Sequence, residues 1–293
     1  MPERTGVTFH VNVRDWPDGT GPSAHVFVRA ESAFRGGSLL PLEFGGTADT
    51  QAIFQRVHEE LIRHPVTKLA KAGSTLNELV YGPDELFTGD PGKGKTRLTK
   101  VVEKLRQQEF DAYLFSGGGN DIAGPEFFSF INHAASQLPN PNREVLDGVV
   151  NGTFRKAYED MIEVLLTEAD RRNIKLPILV HGYDYPWPDG RGAVALGIIG
   201  PWFEDTFRKK GFPLSGANDP DLLRRRKIVA EFIKSLNAML DSLQTKYLGK
   251  VFKVDLLGTL PNRSDWANEL HPTNAGFAAV AWKFNNRLYE VVT

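Results

Sequence analysis

Four short stretches of the chain gather residue types able to activate a hydroxyl and to stabilise an anion. Ala30-Glu31-Ser32-Ala33-Phe34 follows directly on the apolar run His25-Val26-Phe27-Val28. Ser32 therefore sits on a turn at the carboxyl end of an expected strand, where its Oγ is exposed over a sheet. Ala72-Gly73-Ser74-Thr75-Leu76 offers Gly73, a residue that lets the backbone approach a ligand and aim an N–H at a developing oxyanion. Ser116-Gly117-Gly118-Gly119-Asn120-Asp121 leaves a strand through three glycines. Each glycine costs up to about 1 kcal/mol in a regular element, so together they mark positive φ or close approach, and Asn120 adds an amide N–H as a second oxyanion donor. Trp266-Ala267-Asn268-Glu269-Leu270-His271-Pro272-Thr273 sets His271 ahead of a proline and a closing helix, which suits a general base on a rigid loop.

The elements that must position these loops alternate in type. The runs at 25–28, 66–70, 111–116, 177–181 and 250–256 are short and apolar and read as strands. Helical spacing occupies 49–63, 96–108, 151–172, 220–247 and 273–291. Strands alternating with helices predict a parallel sheet covered on both faces, with functional groups gathered at the strands' carboxyl ends. The expectation is an α/β fold, a three-layer α/β/α sandwich around a central parallel sheet of about five strands. Residues 1–23, rich in Gly, Pro and Asp, read as an N-terminal extension with one alternating run, Val7 to Val13, of edge-strand type. Residues 24–293 read as a single domain.

The order of the loops supplies a resemblance. Phe110 to Gly124, FDAYLFSGGGNDIAG, resembles the GGND block of the SGNH (GDSL-type) hydrolases, and Asn268 to Phe277, NELHPTNAGF, resembles their terminal histidine block. Ala70 to Leu79, AKAGSTLNEL, is similar to their second block, and His181 to Gly190, HGYDYPWPDG, to the loop after the fourth strand in bacterial members. The match runs from about residue 24 to the end, in the family's own order. The resemblance implies a flavodoxin-like sheet and a serine esterase acting on carboxylic esters of small to medium acyl or aryl groups. It implies Ser32 as nucleophile, His271 as its base, and the N–H of Ser32, the N–H of Gly73 and the side chain of Asn120 as the oxyanion hole. The reaction is then acyl-enzyme formation followed by release with water.

The chain departs from that family at two positions. Ala30-Glu31-Ser32 stands where Gly-Asp-Ser is usual, and Gly36-Gly37-Ser38-Leu39 offers Ser38 as a rival nucleophile, a turn further from the strand. The residue three before the histidine is Asn268 instead of an acid. An Asn orients an imidazole without stabilising its cation by charge, and Asp265, six residues before His271, is the alternative acid if the loop winds helically. These departures keep a second expectation open, a weakly active or inactive binding protein on the same fold. A third comes from Gly89-Asp90-Pro91-Gly92-Lys93-Gly94-Lys95-Thr96, which fits the phosphate-binding G-x-x-x-x-G-K-[ST] pattern of nucleotide hydrolases. The segment before it, Tyr81 to Phe87, contains Gly and Pro and is not a buried strand, so a basic surface loop is preferred. No G-x-S-x-G elbow of the α/β-hydrolase type occurs.

The bulk properties agree with these expectations and narrow them. With 41% hydrophobic and 24% charged residues over 293 positions, the chain has an ordinary globular composition. A formal net charge of -1 gives no basic field for nucleic acid. The absence of cysteine excludes disulfides, thiolate metal sites and a cysteine nucleophile. His181 and Asp184 lack a third ligand at a recognisable spacing, so neither metal nor other cofactor is expected, and they are assigned to a pocket wall. Tyr183, Tyr185, Trp187 and Trp202 are candidates for lining an acyl or aryl pocket or for core packing. Arg224-Arg225-Arg226-Lys227 reads as a solvated helix face. No stretch approaches the roughly 20 apolar residues of a bilayer span, and the N-terminus lacks the apolar core of a secretion signal. A cytoplasmic or otherwise soluble protein with a small-molecule ester as its partner is the expectation.

Overall fold

The structure, a computed structural model, describes residues 24–28, 66–68, 75–82, 96–123, 126–192, 201–214 and 220–292. The expected edge strand at 7–13, the helix at 49–63, Ser32, Ser38, Gly73 and residues 89–95 of the basic loop lie outside them. In chain order the principal elements are β1 (Ala24–Val28), β2 (Val66–Lys68), α1 (Leu76–Val80), α2 (Arg97–Gln107), β3 (Ala112–Ser116), α3 (Gly119–Ile122), α4 (Phe127–Phe130) and α5 (Arg143–Asp147). A π-helical stretch, Gly148–Phe154, then leads into α6 (Arg155–Arg171), and β4 (Ile178–His181), α7 (Glu204–Lys209), α8 (Pro220–Lys246), β5 (Val251–Val254) and α9 (Asn274–Val292) follow.

The sheet order is β2-β1-β3-β4-β5. Only β3, β4 and β5 are parallel, with Leu114 opposite Leu179 and Leu179 opposite Phe252. β1 runs antiparallel to both β3 and β2, pairing Val26 with Leu114 and Phe27 with Thr67. The expected parallel sheet of about five strands, and with it the flavodoxin-like sandwich, is therefore corrected to an open three-stranded parallel sheet flanked by helices, with antiparallel strands at one side. The physical reason lies in what an apolar run encodes. The run His25 to Val28 carries no signal of strand direction; direction is set by the connection. The crossovers β3–α6–β4 and β4–α8–β5 carry long helices that return the chain for parallel pairing.

Side chains alternate across the parallel strands as the pleat requires. Tyr113, Phe115, Ile178, Val180 and Val251 enter the larger core with Leu98, Val101 and Leu105 of α2, Tyr158 and Met161 of α6, and Phe232 and Leu236 of α8. Ala112, Leu114, Leu179 and Val254 face the other way, against Val280, Phe284, Leu288 and Val291 of α9 and against Trp266. Helices thus cover both faces of the parallel strands. Beyond the strand ends, Phe127 stands edge-on to Phe203 and Phe207 at centroid separations of 5.1 and 5.5 Å, and 5.3 Å from Phe232. This aromatic cluster anchors the segment that follows the glycine loop to α7 and α8.

Candidate active site

Because β3, β4 and β5 are parallel, their carboxyl ends lie on one edge of the sheet, and the loops starting at residues 117, 182 and 255 emerge together. Buried polar groups stitch those loops to each other. Asp184 Oδ2 accepts the N–H of Leu260 at 2.6 Å while Oδ1 accepts that of Tyr185 at 2.8 Å. The Tyr183 hydroxyl lies 3.5 Å from both Ser116 Oγ and the Gly117 carbonyl oxygen, and burial pushes its pKa up to about 12. Asn237 of α8 donates to the Tyr183 carbonyl at 3.1 Å.

The glycine loop has the two features read from its composition. Gly118 has φ +90°, in the left-handed region that L side chains avoid. A Cβ on Gly119 would stand 2.7 Å from the Tyr183 hydroxyl, so that position is glycine because another loop approaches. Tyr158, fully buried on α6, donates to the Gly117 carbonyl at 3.0 Å and fixes the strand's exit. Asn120 follows, half-buried in the short helix α3. Asp121 turns its carboxylate to the N–H of Leu76, at 2.9 Å from Oδ2, and burial pushes its pKa up to about 6. The contact ties the glycine loop to the start of α1, three residues after Gly73.

The histidine loop is closed on itself. Trp266 and Pro272 form an antiparallel bridge, Ala267 N–H donates to the His271 carbonyl at 2.8 Å, and Thr273 N–H donates to the Asp265 carbonyl at 2.7 Å. Within this ring Asn268 Oδ1 accepts three donors: His271 N at 2.7 Å, Leu270 N at 2.9 Å and His271 Nδ1 at 3.1 Å. Two backbone N–H groups aimed at one atom identify that atom as the amide oxygen. His271 Nδ1 must then carry the proton, which leaves Nε2 as the basic nitrogen of the neutral ring. Both residues are buried, His271 at 6% and Asn268 at 7% exposure. Trp202 meets the imidazole edge-on with centroids 5.0 Å apart.

Asp265 is placed differently. Its Oδ2 accepts the N–H of Asn262 at 2.7 Å, a capping contact at the start of the short 3₁₀ turn Arg263–Asp265. Among the described residues, Asn268 is the side chain at hydrogen-bonding distance from His271 Nδ1. Ser32 and Gly73 lie outside the described residues, and among the described residues no Ser–His pair or complete triad is formed. Thr96, the last residue of the G-x-x-x-x-G-K-T run, uses its hydroxyl to accept the N–H of Thr99 at 3.1 Å and so caps α2.

Residue type and spacing give no role to Glu269, Asp189 or Arg191, yet all three join the histidine loop to its neighbours. Glu269 is 0% exposed, and its carboxylate accepts the N–H groups of Gly190 at 2.9 Å, Phe203 at 2.8 Å and Glu204 at 3.4 Å. Burial pushes its pKa up to about 7. Asp189 is clamped by Arg191 at 2.8 Å and by Arg263, and Arg191 also donates to the Trp266 carbonyl at 2.6 Å. In the basic run of α8, Arg224 and Lys227 are exposed, but Arg225 is buried and donates to the Pro188 and Pro213 carbonyls. Arg226 donates to the Tyr185 carbonyl at 3.2 Å and lies 3.7 Å from the centroid of the Trp187 ring. The solvated-face reading of that run therefore fails for two of its four residues, which brace the active-edge loops. His181 donates through Nδ1 to the Gly182 carbonyl at 2.7 Å, and burial lowers its pKa to about 4, so it is a neutral core residue beneath Tyr183.

No protein-family model matches the chain, and no curated protein matches it. Among solved structures, an extracellular lipase from Streptomyces rimosus is similar at 14% identity and a TM-score of 0.44, over 74% of this chain and 78% of that one. So loose a likeness bears on neither activity nor substrate here. Among the described residues no helix is long and apolar enough to cross a membrane.

Proposed function

We propose that the chain is a serine esterase that hydrolyses carboxylic esters through an acyl-enzyme. The observation that carries the proposal is the Asn268–His271 contact. An amide oxygen fixed by two backbone N–H groups holds the imidazole in the tautomer that presents Nε2 as a base. Its position at the carboxyl edge of the parallel strands, on the side from which the Gly117–Asn120 loop also emerges, supports the same reading. Ser32 is the proposed nucleophile. Its Oγ attacks the acyl carbonyl as His271 Nε2 takes the hydroxyl proton. The N–H groups of Ser32 and Gly73 and the Asn120 side chain receive the oxyanion. Collapse expels the alcohol, protonated by His271, and water then releases the acid by the same steps. Asn268 orients the ring and leaves the imidazolium without a charged partner on that side, a weaker arrangement than one with an acid.

The test is mass spectrometry of protein treated with a fluorophosphonate. An adduct on Ser32, with loss of both adduct and turnover of an aryl ester in Ser32→Ala, is the expected result. An adduct on Ser38 moves the nucleophile. No adduct and no burst with an activated ester would sink the enzyme reading in favour of a binding protein.

A further inference from the structure

We infer that Glu269 is a positioning residue that seats Trp202 against the His271 imidazole, and so fixes the aromatic neighbour of the proposed base. The inference rests on the esterase reading for its catalytic consequence, but not for its geometry. Glu269 sits two residues before His271, and its own N–H donates to the Arg191 carbonyl at 3.0 Å. Its Oε1 takes the N–H of Gly190, and its Oε2 those of Phe203 and Glu204, the two residues after Trp202. One side chain therefore bridges three segments: the histidine loop, the turn at Asp189–Arg191 and the entry to α7. The entry matters most because Phe203 is locked into the Phe127 cluster. Its backbone is held from one side by aromatic packing and from the other by the carboxylate, and Trp202 is left with its indole edge-on to His271.

No ion-pair partner among the described residues neutralises Glu269; the charged groups around it are Asp189, itself clamped by two arginines, and Glu204 and Arg191. A fully buried carboxylate satisfied only by backbone N–H groups is a costly way to close a loop. An apolar residue would fill the space but leave three N–H groups unpaired. The acceptor geometry selects the carboxylate, and what it fixes is the register of residues 202–204 against residues 268–271.

The experiment reads Trp202 directly. Its fluorescence, isolated as the difference between a protein and the same protein carrying Trp202→Phe, is titrated with acrylamide at constant pH in the parent and in Glu269→Gln. Gln keeps the length but turns an NH₂ toward one of the donors. At least a twofold rise in the quenching constant is expected in Glu269→Gln, and an unchanged constant overturns the inference. Should Glu269→Gln fail to fold, Glu269→Asp retains the charge with a shorter reach, and the same rise is expected from it. In activity, Glu269→Gln is expected to lower kcat about tenfold while the titratable fraction of active sites stays near that of the parent. The same substitution in a Trp202→Phe background is expected to cost under threefold, since the indole it seats is already gone. Equal losses in both backgrounds refute the coupling. If the parent shows no label and no burst, the esterase reading fails, and the quenching result still decides the positioning role.

Discussion

Replacing Glu269 by Gln separates the protein's response to pH into a part that belongs to this residue and a part that does not. The carboxyl is raised from its ordinary 4.5 to about 7, chiefly by burial. At about 1.4 kcal/mol for each pH unit, ionised Glu269 is harder to hold in the fold than in the unfolded chain by about 3 kcal/mol. The sign follows from proton counting. Between 4.5 and about 7 the folded protein holds the proton and the unfolded chain has released it, so stability falls as pH rises through that window. Below the window the stabilisation is whole; above it, it is lost. The substituted glutamine does not titrate, and its fixed penalty is the donor facing an N–H, about 1–3 kcal/mol. Glu269→Gln is therefore expected to be the less stable protein near about pH 4, and the gap is expected to close or reverse by about pH 8. Asp121, raised from 3.8 to about 6, loses stability with rising pH, while His181, lowered from 6.5 to about 4, gains it. Both are common to the two proteins and cancel in the difference. Urea unfolding across the range measures that difference directly. In a thermal scan of 293 residues the change in the gap corresponds to about 5 °C. Parallel stability curves for parent and variant over the whole range would refute the assignment of a buried, raised carboxyl to this position.

Two further substitutions test the histidine loop, and a third tests the aromatic cluster. Asn268→Ala removes the acceptor of two backbone N–H groups and of Nδ1–H, and a loss of at least about 100-fold in kcat/KM is expected, because the imidazole loses both tautomer and orientation. Asp265→Ala removes a capping contact and is expected to cost about 1 kcal/mol in unfolding experiments, with little change in rate; the reverse ranking in steady-state kinetics would make Asp265 the acid. Phe127→Ala empties the centre of the aromatic cluster and is expected to lower unfolding free energy by about 3–5 kcal/mol. A loss below about 1 kcal/mol by urea titration would mean that the segments it joins do not depend on that cluster.

Helices with a strong apolar period were legible in the sequence, and so were the apolar strands, because each depends on local spacing. The helix read at 220–247 is α8, and the strand read at 177–181 is β4, each within a residue of its ends. Strand direction was not legible. Nothing in His25 to Val28 distinguishes a parallel from an antiparallel neighbour, and β1 runs antiparallel to β3. Side-chain burial on a charged helix was half legible. The period of α8 marks Leu222, Ile228 and Val229 as inward, but whether a long arginine beside them turns out to water or back to a carbonyl depends on loops that arrive from elsewhere. Arg225 turns back.

The histidine block shows the same division within one loop. His271 and Asn268 are legible as candidates because their types suit a base and its orienter, and the structure places them in contact. Glu269 is not legible, because a lone acid in a surface-looking loop resembles any solvated carboxylate. Three buried acids in this molecule are used alike: Asp121 takes the N–H of Leu76, Asp184 that of Leu260, and Glu269 those of Gly190 and Phe203. Each joins segments distant in sequence by accepting donors that irregular backbone cannot satisfy within itself. A short parallel sheet leaves long loops at its carboxyl edge, and those loops carry many such donors. Acids placed between them answer a demand of the backbone first, and they give the neighbouring Asn120 and His271 loops a fixed frame.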